Sequence, residues 1–264
     1  MIKIQTYVQA QTLEEAWQLN QKRSARILGG MLWLKMESLP VSTAIDLCRL
    51  GLDAIEETEE QFTLGAMVTL RQIEQHAGLN AYTQGAAARA VQDIVGVQFR
   101  NMATLGGSLW SRFGFSDLLT WMLSMDTWVQ LYRGGLVPLE QFAAMPYDRD
   151  LLVRVIVYKR PGRFAYQAMR NQRTDISVLN CAFSQMEGVC RAVVGARPGK
   201  AIVLRDEAGL LAGGITPERA RAFAEWAAER TPTGSNSRGS AAYRTHLVKV
   251  LVRRAAEEAG GNAL

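Results

Sequence analysis

The stretch that decides the fold is Asp93-Ile94-Val95-Gly96-Val97-Gln98-Phe99-Arg100-Asn101-Met102-Ala103-Thr104-Leu105-Gly106-Gly107-Ser108-Leu109. Its centre is a glycine pair, Gly106-Gly107, with hydroxyls on either side at Thr104 and Ser108. A second pair, Gly29-Gly30, follows the short apolar run Arg26-Ile27-Leu28 and leads into Met31-Leu32. Glycine lets a backbone turn at positive φ and brings its amides close to a ligand. Consecutive amides aimed into one concavity attract anions, typically phosphate oxygens. Two such loops would hold a pyrophosphate from both sides. Neither follows G-x-G-x-x-G or G-x-x-x-x-G-K-[ST], so a standard Rossmann or P-loop site is not indicated. Either pair alone is also what a tight turn requires.

Outward from these loops the chain mixes helices and strands. The alternation Ile2-Lys3-Ile4-Gln5-Thr6-Tyr7-Val8 predicts a half-buried strand. Thr12-Leu13-Glu14-Glu15 is a capping box that opens a helix to about residue 22. With Ser42–Leu47 as the next apolar stretch, the rhythm is β-α-β. Phe62–Ala66 reads as a strand, Thr69 caps a helix over Leu70–Gln75, and a helix is expected over Gly85–Val95. A loop is expected around Gly106-Gly107, and Ser116-Asp117 caps a helix over Leu118–Met125. Strands follow at Trp128–Tyr132 and Leu151–Tyr158, with a turn at Gly134-Gly135. Beyond Pro161-Gly162, where a domain boundary is placed, strands are expected at 176–184, 190–195 and 200–204. Thr216-Pro217-Glu218 starts a helix, with threonine as cap and proline at the first helical position. A closing helix spans about 240–258.

Composition narrows the function. The chain has 264 residues, 48% apolar and 21% charged, the profile of a folded soluble protein with room for one large domain or two modest ones. No apolar run approaches the ~18 residues of a membrane span, and Met1–Thr6 lacks a signal-peptide pattern, so a cytoplasmic location is expected. Three scattered cysteines, Cys48, Cys181 and Cys190, make no disulfide framework and are too few for an iron–sulfur cluster. Two histidines, His76 and His246, have no ligand partners at metal spacing. His76 and Glu74 read as solvent-facing residues at a helix end, and His246 as a packed histidine. Met31, Met36, Met67 and Met102 read as core filling. The net charge of +5 is thinly spread, without the basic stripe and interleaved aromatics of a nucleic-acid surface. No Ser-His-Asp order, paired carboxylates or activated cysteine stands out, and no acid–base residue is named.

The run 93–109 resembles the hallmark of the FAD-binding (medium) subunits of molybdenum hydroxylases of the xanthine dehydrogenase type, Arg-Asn-x-Ala-Thr-[Ile/Leu]-Gly-Gly-[Asn/Asp/Ser]. Phe115-Ser116-Asp117-Leu118-Leu119, with Leu123-Ser124-Met125-Asp126-Thr127, is similar to the family's Ser-Asp-Leu helix and its ending. Gly65-Ala66-Met67-Val68-Thr69 through Ile73-Glu74 is similar to Gly-Ala-x-x-Thr-x-x-x-Ile-Glu. Gly239–Leu247, ending in Leu251-Val252-Arg253-Arg254-Ala255, resembles the closing helix of the family's C-terminal domain. The resemblance covers essentially the whole chain.

It implies an α+β fold: a two-part FAD-binding domain of the PCMH/vanillyl-alcohol-oxidase-like type over 1–162, then a smaller α+β C-terminal domain of the CO dehydrogenase flavoprotein type over 163–264. It implies that backbone groups of Leu28, Gly29 and Gly30 meet the FAD pyrophosphate from one side, and Ala103, Thr104, Gly107 and Ser108 from the other, with Met31 and Leu32 also in the cofactor-binding set. Trp110 and Ser116 join the cofactor-binding set, Asp117 lies near ribityl or ribose hydroxyls, and Leu152 and Tyr166 border the isoalloxazine or adenine. Partners are implied too: a molybdenum-pterin subunit, a 2Fe-2S subunit that passes electrons to FAD, and NAD⁺ or another acceptor. One departure stands out. Relatives read Ala-Gly-Gly-Thr-Asp-Leu at the first loop, whereas here Met31 replaces a hydroxyl donor and the acidic residue is missing or shifted. A neutral hydrogen bond is worth roughly 0.5–1.5 kcal/mol net, so its loss weakens FAD by up to about tenfold. The alternatives are a scaffold subunit that has lost FAD and bridges partners, or a stand-alone flavin oxidase or reductase.

Overall fold

Residues 2–261 are described by the computed structural model. In chain order the first elements are β1 (Lys3–Gln9), α1 (Leu13–Asn20), β2 (Ala25–Leu28), β3 (Pro40–Asp46), β4 (Ile55–Glu57) and β5 (Gln61–Gly65). Six short helices follow, α2 (Leu70–Gln75), α3 (Ala77–Tyr82), α4 (Ala86–Val91), α5 (Val97–Met102), α6 (Leu105–Trp110) and α7 (Asp117–Leu123). Then come β6 (Asp126–Leu131), β7 (Gly135–Pro138), α8 (Leu139–Ala144), β8 (Leu152–Tyr158) and β9 (Gly162–Met169). The chain closes with β10 (Leu179–Met186), β11 (Val189–Gly195), β12 (Ile202–Arg205), α9 (Pro217–Glu229) and α10 (Ala241–Ala259).

These elements gather into two compact units that do not follow chain order. The first holds the residues up to Gln72, Val97–Ser111 and Thr127–Tyr158; the second holds Ile73–Gly96, Arg112–Asp126 and Lys159 onward.

In the first unit, β1, β3 and β2 form a parallel sheet in that order, the expected β-α-β rhythm. Thr12 caps α1, its hydroxyl accepting from the Glu15 amide at 3.1 Å. Glu15 reaches back one residue further than a standard capping box, to the Gln11 amide at 2.8 Å. The expected half-burial of β1 is corrected: it is an edge strand, and Ile4 and Tyr7 are exposed. A five-stranded sheet, ordered β4-β5-β8-β6-β7, completes the unit.

The second unit is built on an antiparallel sheet ordered β12-β11-β10-β9. Successive side chains of a strand point to opposite faces, and both faces of β10 are covered. Leu179, Cys181 and Phe183 belong to the apolar core built with α9 and α10. Asn180 and Ser184 point the other way, bonding to Thr120 and to the Ser124 carbonyl of the α7 region. The stripe Leu247, Val248, Leu251, Val252, Ala255, Ala256 and Ala259 is the buried side of α10. Thr216 caps α9 as expected, with Pro217 at its start.

β9 falls where only a boundary was expected, and α3, α5, α6 and α8 were not anticipated. Each of these helices has six residues, too few for a readable 3.6-residue period. His76 caps α3, its Nδ1 accepting from the Leu79 amide at 3.1 Å. His246 is exposed rather than packed. Met36 and Met102 are also exposed, at 72% and 53%, so they are not core filling.

Burial pushes the Cys181 thiol up to about 12 and the Cys190 thiol up to about 11, while Cys48 is exposed. The thiolate is the reactive form. A disulfide reagent at about pH 8 should therefore modify Cys48 alone in the native protein and all three cysteines after denaturation. Rapid native labelling of Cys181 would show that the β10 core is open.

Candidate functional site

Leu28 ends β2 in a small apolar cluster with Val41 and Ala44, and Met31 packs against it. The two glycines that follow do not serve handedness. Neither has positive φ; the left-handed residue is Met31, at φ 57°. Their role is close approach. A Cβ on Gly30 would lie 1.8 Å from the Met102 carbonyl oxygen, and one on Gly29 would lie 2.7 Å from Thr104 Oγ1 and 3.7 Å from the Gly107 Cα. The two glycine stretches therefore touch.

The expected loop around Gly106-Gly107 is instead the first turn of α6, capped by Thr104. Gly106 is again a close-approach position, since a Cβ there would meet the Ala66 carbonyl oxygen at 2.8 Å. The amides of this turn are already engaged. Leu105 donates to Val68 O at 2.8 Å, Gly106 to Ala66 O at 2.7 Å and Ser108 to Thr104 O at 3.0 Å. Gly107 donates to Thr104 Oγ1 at 3.2 Å, and the Ser108 hydroxyl to Thr104 O at 2.9 Å. Ala103 is bonded through both its amide and its carbonyl, to Phe99 O and the Leu70 amide.

The first loop is different. Among the described residues, none accepts a hydrogen bond from the amides of Gly29, Gly30, Met31 or Leu32. Four consecutive unbonded amides are donors available to anionic oxygens. Beside them lies Gly107, where an added Cβ would meet only Thr104 Oγ1, at 3.1 Å, within 4 Å. This donor row against a glycine wall fits a pyrophosphate, with the donors on the first stretch and the wall on the second. In the same unit, Trp110 is half-buried against Phe142, with ring centroids 5.8 Å apart, and Leu152 is buried at the start of β8.

Ser116, Asp117 and Tyr166 belong to the second unit. Ser116 caps α7, accepting from the Leu119 amide at 3.1 Å. Asp117 is buried at the centre of a polar cluster. Its Oδ1 accepts from Tyr166 at 2.5 Å, Ser177 at 2.6 Å and Asn180 at 2.9 Å. Its Oδ2 pairs with the Arg170 guanidinium at 3.0 Å, both side chains being only 7% exposed. A carboxylate has about four acceptor sites, so most of its capacity is taken up inside the unit. Burial and the Asp117 charge raise the Tyr166 phenol well above its ordinary value, so it stays a neutral donor. Arg170, Ser177 and Asn180 were not singled out in the sequence. The one available signal was polar residues spaced through an apolar strand, Ser177, Asn180 and Ser184.

Removing one partner of a buried ion pair strands the other charge, at a cost of roughly 3–5 kcal/mol. Asp117→Asn should destabilise the protein by about that amount in urea unfolding. Adding Arg170→Met should recover a good part of the loss. No recovery in the double variant would show that the ion pair is not what holds this cluster.

Two families match the chain. Residues 2–159 match one described as the FAD binding domain in molybdopterin dehydrogenase, and residues 164–259 match the CO dehydrogenase flavoprotein C-terminal domain. The nicotine 6-hydroxylase medium subunit of Paenarthrobacter nicotinovorans is 30% identical over 275 residues, covering 96% of each chain. Among solved structures, the fold is shared with a chain of the carbon monoxide dehydrogenase of Hydrogenophaga pseudoflava, with a TM-score of 0.86, 22% identity and 98% of both chains covered. It is shared equally with a chain of the quinoline 2-oxidoreductase of Pseudomonas putida 86, with a TM-score of 0.86, 21% identity and 97% of both chains covered. With its glycine-walled donor row in the first unit and these matches along nearly its full length, the chain belongs to the FAD-binding medium-subunit family of the molybdenum hydroxylases.

Proposed function

We propose that this chain carries FAD as the electron-transfer subunit of a heteromeric molybdenum hydroxylase of the xanthine dehydrogenase type. A 2Fe-2S subunit delivers electrons that originate at a molybdenum-pterin subunit, and NAD⁺ or another acceptor removes them. The hydroxylation chemistry then belongs to the partners. The proposed division of labour within the chain is FAD binding by residues 1–162 and a C-terminal domain over 163–264. Among the described residues no helix is long and apolar enough to cross a membrane, and the proposed place of work is the cytoplasm.

The observation that carries this reading is the run of four unbonded amides, Gly29 to Leu32, against the Gly107 wall. FAD supplies the capacity to take up electrons singly and release them as a hydride. The chain's own residues bind and orient. The Gly29–Leu32 amides hold the pyrophosphate, and the Thr104 hydroxyl sits beside it. Leu28, Ala103 and Ser108 fix the backbone around them. Trp110 and Leu152 are proposed on family resemblance to serve the same cofactor, and Ser116, Asp117 and Tyr166 are carried over from that resemblance as cofactor-binding residues. Asp117 is held in place by its ion pair with Arg170 and by its three hydrogen-bond donors. Loss of the hydroxyl at position 31 removes one side-chain donor, but the Met31 amide remains available.

Gly107→Val places two methyl groups where the pyrophosphate approaches, and it should abolish FAD retention while the chain stays folded. Unchanged flavin content in that variant would move the site elsewhere. Purification of a tagged chain at native expression should recover molybdenum and iron in constant ratio to it. Recovery of the chain alone, free of both metals, would contradict the subunit assignment.

A further inference from the structure

The strand that delivers the first glycine loop begins at an arginine cluster. Arg26 lies on β2 at the edge of the three-stranded sheet, and Arg23 lies just before it. Arg149 arrives from the segment preceding β8. Arg26 Nη1 donates to Arg23 O at 2.7 Å and to Ala25 O at 2.8 Å. Arg149 donates to the same two carbonyls, at 2.6 Å to Arg23 O and 3.4 Å to Ala25 O. Two guanidinium groups thus converge on one pair of acceptors, and the donor nitrogens on Arg23 O are no farther apart than the two bonds combined.

Cations commonly guard an exposed sheet edge, but such guards extend into water, away from one another. Here the side chains fold back and crowd like charges together. Among the described residues, none of the three arginines has a carboxylate partner. Burial, followed by repulsion from Arg26 and Arg23, lowers the affinity of Arg149 for its proton. The carbonyls hold the guanidinium groups in place without neutralising them. A planar guanidinium fork that is already positioned suits bidentate pairing with a carboxylate.

We propose that Arg23, Arg26 and Arg149 form a docking site for an acidic segment of a partner subunit. The inference rests on the reading of this chain as one subunit of a heteromeric enzyme, which requires at least one protein interface. Charge complementarity selects an acidic partner surface, and the preset forks select carboxylates. The cluster lies at the start of β2 and the flavin-loop amides lie beyond its end, so the two sites can be altered separately.

The test compares the co-expressed complex carrying wild-type chain, Arg26→Glu/Arg149→Glu and the milder Arg26→Gln/Arg149→Gln. Complex recovery, flavin per chain and thermal midpoint are measured for each. The proposal predicts recovery reduced by about tenfold or more in the charge-reversed chain, the scale on which truncating or reversing interfacial charges acts, with flavin content unchanged. The neutral variant falls between them, and raised salt dissociates the wild-type complex more readily than the neutral one. The neutral chain, freed of like-charge crowding, should unfold at the same temperature as wild type or higher. Equal recovery of all three complexes would overturn the proposal. So would inorganic pyrophosphate binding at the cluster with assembly unaffected, since the site would then take a free anion. Absence of flavin from every chain, wild type included, would count against the FAD reading instead, and the comparison of recoveries would still decide the docking site.

Discussion

The backbone of the first glycine stretch passes so close to the second that no side chain fits between them. The 1.8 Å separation from a Cβ on Gly30 to the Met102 carbonyl oxygen is far inside any contact distance. Gly29 meets Thr104 in the same way, and Gly106 meets Ala66. This close packing fixes the backbone that carries the four free amides of Gly29–Leu32. It also explains why the second stretch spends its own amides internally: they anchor α6 to the Ala66–Val68 segment after β5, which steadies the wall against which the donors are set. The left-handed turn that follows falls on Met31 rather than on a glycine. A side chain there carries a strain on the order of 1–2 kcal/mol, which packing against Leu28, Val41 and Ala44 helps to offset.

The second unit is organised by a different constraint, a buried charge. Asp117 is tolerable in its position because four donors meet it, three of them neutral and one a guanidinium. An isolated buried carboxylate would cost far more than such a domain's net stability margin. The cluster ties α7 to β9 and β10, while the opposite face of β10 packs on α9 and α10. Tyr166 is therefore held by its hydroxyl and cannot both keep that bond and donate elsewhere.

The parts of the fold with clear local signals were legible in the sequence: the β-α-β start, the capped helices at Thr12, Ser116 and Thr216, the turn at Gly134-Gly135 and the closing helix. Of the six-residue helices, α2 and α4 were expected, α2 from the Thr69 cap, whereas α3, α5, α6 and α8 were not, because a helix of under two turns leaves no periodic trace. The α6 turn was obscured further by glycines, which read as loop residues although here they permit backbone contact. The two glycine pairs stood out after apolar runs, but the assignment of their neighbours to a flavin site came from the family resemblance. The division of labour between the pairs was not legible, since which amide finds an acceptor depends on Val68 and Ala66, more than thirty positions upstream of α6. From its own neighbours in the sequence Asp117 was legible as a helix start, and only the family resemblance pointed to a further role. Its partners Arg170 and Ser177 come from the connection between β9 and β10, and Asn180 from β10, and no local pattern links them to it.

The central claim is that this chain itself holds FAD. The most direct test is a titration of the purified chain with FAD, followed by absorbance after unbound flavin is removed, with the released cofactor identified by chromatography. The account predicts one FAD per folded chain with a protein-perturbed flavin spectrum. A folded chain that retains no flavin at saturating FAD would contradict it, and would leave the Gly29–Leu32 amides without the ligand to which their arrangement is attributed.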